Sequence, residues 1–151
     1  MLQELFITNF VLIDKVTINL CDRLNVFSGA TGVGKSMVIG ALNFILGGRA
    51  TADIVRSGKD EATVIGKFSL KDKNLLRQIS KVADNITIDE ELLLQRTIDT
   101  NGRSRCRLND MPITVSLLKE LGEMLVNIHG QHEHETLLHG TNQLYILDDF
   151  G

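Results

Sequence analysis

Residues 29–36 read Gly29-Ala30-Thr31-Gly32-Val33-Gly34-Lys35-Ser36, which satisfies G-x-x-x-x-G-K-[ST] at every fixed position. Three glycines within six positions ask for a backbone shape that side chains would obstruct. Such a loop turns its N–H groups inward and makes a nest for an anion. A helix starting near Lys35 would add unpaired N-terminal donors and the positive end of its dipole. Lys35 would then carry a mobile charge to the outer phosphates of a nucleoside triphosphate, and the Ser36 hydroxyl would be a ligand for Mg2+. The expected chemistry is ATP binding by residues 29–36, with Lys35 acting on the phosphates and Ser36 on the metal. A glycine-rich turn that matches by chance is the plain alternative, and the flanking elements argue against it.

Those elements must place the loop. "LNVFS" (24–28) is a short apolar run, expected as a strand buried on both faces. Lys35 to Leu46 reads as a helix whose apolar residues do not keep to one stripe, so burial on most sides is expected. Gly47 and Gly48 supply its stop. A strand before and a helix after are the context that gives the motif its meaning.

The rest of the chain bounds the reading. Its 151 residues and 43% apolar composition suit one domain with a real core. The net charge of −3 advertises no nucleic-acid binder, so any DNA contact must come from a local patch. Cys21 and Cys106 are far apart and read as buried thiols in a reducing compartment. The N-terminus lacks the pattern of a secretory signal, and the longest apolar run, Met37 to Leu46, is too short to span a bilayer. A soluble intracellular protein is expected.

Further along, "LQELFITNF" and "KVTINL" (15–20) alternate as an antiparallel pair, with Val16, Ile18 and Leu20 on one face. "EATVIGKFSL" (61–70) reads as a strand and residues 70–83 as a surface helix burying Leu75, Leu76 and Ile79. "ELLLQRTIDTNGRSRCRLND" is a hairpin signal, with Asn101-Gly102 suited to a type I′ turn. Thr114 is a candidate cap for a helix with Leu117, Leu118, Leu121 and Leu125 on one side. "LVNI" after it reads as a short strand.

Three other groups could do chemistry. Arg103, Arg105 and Arg107 fall on one face of a strand, where they need either DNA phosphates or carboxylates such as Asp89, Glu90 and Glu91 as partners. His129, His132, His134 and His139 cluster with acids, but their spacing fits no common zinc site. A position near the nucleotide suits His132 or His134 better. "YILDD" (145–149) imitates an apolar strand ending in acids, which would make the chain a complete small P-loop kinase or NTPase with Asp148 and Asp149 as its acidic pair. Against that, Leu137, Leu138, Leu144, Leu147 and Phe150 suit a helix, and Thr141 could cap it.

"NFVLIDKVTINLCDRLNVFSGATGVGKSMVIGALNFILGGRA" resembles the opening of the RecN family of bacterial DNA-repair proteins, relatives of the SMC ATPases. The resemblance continues through "VRSGKDEATVIGKF", "GRSRCRLNDMPIT" and "LVNIHGQHEHETLL", and so spans essentially the whole chain. Ala30 and Val33 depart from the family loop, where an acidic and a smaller residue are common. The resemblance implies an α/β fold, the N-terminal lobe of an ABC/SMC-type P-loop head, with an antiparallel β-subdomain packed beside the sheet that carries the P-loop helix. It implies a lobe over residues 1–140 and, over 141–151, the start of a helix leading to a coiled coil. It places Gln131 in the Q-loop as a catalytic residue and Mg2+ ligand. It also implies a C-terminal lobe carrying the remaining motifs, a head–head homodimer, DNA as partner and a cytoplasmic, nucleoid-associated location. On this reading the 151 residues alone would bind ATP without turning it over.

Overall fold

The computed structural model describes residues 1–28, 33–84 and 86–126. Strand β1 (Leu2–Phe10) turns through Val11 and Leu12 into β2 (Ile13–Asn19), with Phe10 opposite Ile13 and Ile7 opposite Val16. β3 (Glu61–Ser69) pairs with the other edge of β1, and β4 (Glu91–Asp99), β5 (Ser104–Leu108) and β6 (Met111–Ile113) follow. The sheet has the order β2-β1-β3-β4-β5-β6 and every pair is antiparallel.

Period-two alternation decides its faces. Ala62, Val64 and Phe68 of β3 point inward, as do Leu92, Leu94 and Ile98 of β4 and Cys106 and Leu108 of β5. They form one core with three helices: α1 (Val33–Ile45), α2 (Lys73–Val82) and α3 (Val115–Leu125). α1 packs against β1, β3 and β4, while α3 packs against β5 and α2. The helix carrying Lys35 therefore lies directly on the antiparallel sheet, and no second sheet is present among the described residues.

Helix ends follow their residue types. Asp72 caps α2 by accepting from Asn74 N (2.7 Å), and Thr114 caps α3 by accepting from Leu117 N (3.1 Å). α1 ends in a Schellman turn: Gly48 N donates to Asn43 O (2.8 Å) and Gly47 N to Phe44 O (3.2 Å), with Gly47 at φ +87°.

Several expectations are corrected. Residues 24–28 form no strand, and Leu24, Val26 and Phe27 are exposed rather than buried on both faces. Asn25 spends its side chain inside the preceding turn, accepting from Cys21 N (2.9 Å) and donating to Cys21 O (2.9 Å), and no described strand lies alongside the segment. Cys21 is exposed; only Cys106 is a buried thiol. α1 is buried through its C-terminal half, at Ala41, Phe44 and Ile45, whereas Gly34, Lys35, Ser36 and Ile39 are exposed. The β4–β5 hairpin is present but is not a type I′ turn. Gly102 N donates to Asp99 O (2.9 Å), Asp99 Oδ1 accepts from Asn101 N and Arg103 N, and in this loop only Gly102 has positive φ, +79°. That is a type I turn closed by a glycine bulge, favoured here by the Asp99 side chain. The type I′ geometry appears one turn later, at Asn109 (φ +46°) and Asp110 (φ +59°) between β5 and β6. "LVNI" is also not a strand from its start, since α3 runs to Leu125.

Candidate functional site

α1 places Lys35 and Ser36 in its first turn, both exposed, and no acidic residue in that turn opposes an anion. Positions 29–32 of the glycine loop lie outside the described residues, as do Gln131, the histidine cluster and residues 141–151. The geometry of the site is thus that of the helix end and what surrounds it.

Beside Ser36 opens a cavity of about 740 Å³, within the range of small-molecule sites. Phe10, Met37, Gly40 and Phe44 form its apolar wall, Asn43 and Arg49 add polar groups, and Val11 and Ile54 complete it. The Phe10 and Phe44 rings pack 5.7 Å apart, tilted by 54°. A Cβ at Gly40 would meet the Phe10 ring at 3.7 Å, an ordinary contact, so the glycine leaves room without being sterically required.

Backbone strain collects at the same wall. Val11 sits at φ +52°, a conformation that a β-branched residue seldom adopts, and Asn9 shares it. Both are held by the chain before β3: Val11 N donates to Ile54 O (2.7 Å), and Arg56 N donates to Asn9 O (2.9 Å). The Arg56 guanidinium reaches Leu12 O and lies 3.8 Å from Asp14.

At the far end of α1, Arg96 occupies an inward position of β4 and is 4% exposed. Nη1 donates to Phe44 O (2.8 Å) and Gly48 O (2.7 Å), Nη2 to Ser104 Oγ (3.3 Å), and the guanidinium carbon lies 4.5 Å from the Phe44 ring centroid. No carboxylate is among these partners. Burial pulls its pKa below the ordinary arginine value, partly opposed by the nearby Cys106, whose own thiol burial pushes up. Sequence reasoning passed over Arg96. The signal was available, since Leu92, Leu94, Arg96 and Ile98 alternate on one face and only one is charged.

The arginine face is met in part: Arg105 and Arg107 lie on the exposed face of β5, opposite Cys106 and Leu108, whereas Arg103 is exposed in the loop just before the strand. Their partners are not the expected carboxylates. Arg105 pairs with Glu61 at the start of β3, two strands away, and Arg107 donates to Asp110 O (2.7 Å) in the adjoining tight turn. Glu91 pairs instead with Lys67 across β3–β4 (2.9 Å). Among the described residues no cluster of three His, Cys, Asp or Glu could hold a metal, and no helix is long and apolar enough to cross a membrane.

Known proteins share the sequence and the fold. Residues 4–137 match the AAA domain family. The DNA repair protein RecN of Halalkalibacterium halodurans is 40% identical over 150 residues, covering 99% of this chain and 26% of that protein. RecN of Vibrio cholerae is 39% identical, with 99% and 27% covered. Among solved structures, a chain from work on ATP-driven dimerization and DNA-stimulated activation of SMC ATPases superposes with a TM-score of 0.71 at 22% identity, over 99% of both chains. The SMC head domain from Thermotoga maritima superposes with a TM-score of 0.60 at 21% identity, over 79% of this chain and 41% of that one. The chain spans about a quarter of the length of the curated relatives it matches. It belongs to the AAA domain family, with an SMC-head type of α/β fold, and is similar in sequence to the N-terminal quarter of RecN proteins.

Proposed function

We propose that this chain is the ATP-binding N-terminal part of a RecN-like ATPase that acts in recombinational repair of DNA double-strand breaks. The observation that carries the reading is the placement of Lys35 and Ser36 on the exposed first turn of α1, beside a cavity walled by Phe10 and Phe44. The loop 29–36 binds the phosphates through its backbone donors, and the cavity receives the less polar part of the nucleotide. Lys35 stabilises charge that develops on the outer phosphate. The donor set fits Mg2+: Ser36 offers a hydroxyl on an exposed turn, and Gln131 offers an amide oxygen. The metal, when bound, neutralises phosphate charge. Gln131 also orients water beside the outer phosphate.

The exposed Leu24, Val26 and Phe27, just before the loop, support a partner surface for the C-terminal lobe of the same protein. With that lobe, two heads enclose ATP between them in a homodimer, in the cytoplasm beside DNA. The 151 residues alone bind nucleotide and do not turn it over.

Calorimetry of the complete protein tests the site. Lys35→Ala abolishes or greatly weakens Mg-ATP binding with the circular dichroism unchanged, and Gln131→Ala lowers turnover more than affinity. Undiminished ATP affinity in Lys35→Ala would sink the reading.

A further inference from the structure

Granting that α1 presents Lys35 and Ser36 to a nucleotide, we infer that Arg96 is a positioning residue for that site, acting from the opposite end of the helix. α1 is gripped mainly through its C-terminal half: Gly34 to Ser36 are exposed, Val38 is partly buried against the core, and the fully buried positions begin at Ala41. Two devices make the grip. One is the close approach of α3, where an added Cβ on Gly47 would lie 2.5 Å from Lys119 Cα and one on Gly122 2.5 Å from Leu46 O. The other is Arg96, whose Nη1 holds the carbonyls of Phe44 and Gly48 on either side of the Schellman turn.

The arginine does what an apolar side chain in its place cannot. Its charge meets the carbonyl end of the helix, where a cation is favoured. Its plane lies over the Phe44 ring, so it also backs the wall of the cavity. Arg96 Nε remains buried without a partner, a cost that core packing alone would not require. Lys35 lies nine residues before Phe44, about 14 Å along the axis. A tilt of about 5° at the grip would therefore move Lys35 by about 1 Å, enough to matter at a phosphate site. Loss of the clamp frees the helix to tilt while the core around Ala41, Ile45 and Leu118 keeps the fold.

The test is Mg-ATP calorimetry on the complete protein, reading affinity and stoichiometry separately. Arg96→Met keeps volume without charge or donors; Arg96→Lys keeps the charge but has no planar fork for two carbonyls. The expected result is a Kd raised roughly tenfold in Arg96→Met and by a smaller factor in Arg96→Lys, at unchanged stoichiometry. A residue that only stabilised the fold would lower the stoichiometry and leave Kd alone, and that outcome overturns the inference. So does a wild-type Kd in both variants while Lys35→Ala has lost binding, which leaves the nucleotide site standing. Should Arg96→Met fail to fold, Arg96→Lys decides by its Kd. Failure of the wild-type protein to bind Mg-ATP overturns both readings.

Discussion

Gly122, in the middle of α3, lies against the carbonyl of Leu46 so closely that a Cβ there would stand 2.5 Å from the oxygen. Backbone meets backbone at this point, and neither can yield as a side chain would. Gly122→Ala should therefore destabilise the protein by about 1–3 kcal/mol, although alanine is the better helix former. Denaturant unfolding checks it; a stabilised variant would show that the two segments separate freely.

Gly40 is the opposite case. A Cβ there meets Phe10 at an ordinary 3.7 Å, and the residue is in the interior of α1. Gly40→Ala should stabilise by about 0.5–1 kcal/mol through helix propensity. Gly40→Leu should fill the cavity and weaken Mg-ATP binding while Lys35 and Ser36 stay in place. Unchanged affinity in the leucine variant would place the nucleotide elsewhere.

Acid should loosen the segment before the loop. Lys71 hydrogen-bonds Asp22 at 2.7 Å, and that bond, with the ammonium charge, holds the Asp22 carboxyl below the usual carboxylate range. A lowered folded-state pKa gives stability that is present above the unfolded value and is lost as pH falls through the folded one. Wild type should thus be more stable than Asp22→Asn at pH 6, with the difference closing toward pH 2. Both groups are exposed, so the effect is small in size. A difference independent of pH would remove the linkage.

The arginine face gives a test in the complete protein. Replacing Arg103, Arg105 and Arg107 by glutamine should lower DNA affinity and flatten its salt dependence, by up to about one unit of log–log slope for each phosphate that no longer meets an arginine. Unchanged affinity and slope would leave Arg105 and Arg107 to their intramolecular partners, Glu61 and Asp110 O.

Much of this protein was legible in local chemistry. "EATVIGKFSL" (61–70) was legible as a strand and is β3, because strand-forming residue types act locally. Asp72 was not singled out, but Thr114 was named as a cap and is one, since a hydroxyl three residues before an unpaired N–H needs nothing distant. Gly47 and Gly48 ended α1 as expected for the same reason. The phosphate-binding role proposed for Lys35 and Ser36 likewise rests on their spacing after the glycines.

Tertiary structure decided what depends on neighbours remote in sequence. Residues 24–28 are apolar enough for a buried strand, yet burial needs a partner, and none lies beside them among the described residues. Asn101-Gly102 favours one turn in isolation, but the Asp99 carboxylate accepts two backbone donors and selects another. Glu61 rather than Glu91 faces Arg105 because β4 sets the register between β3 and β5. Arg96 shows the division most clearly. Its inward side was written in the alternation of β4, but the two carbonyls it holds are 48 and 52 residues away, at the end of α1. Only the packing of helix on sheet brings those carbonyls to it.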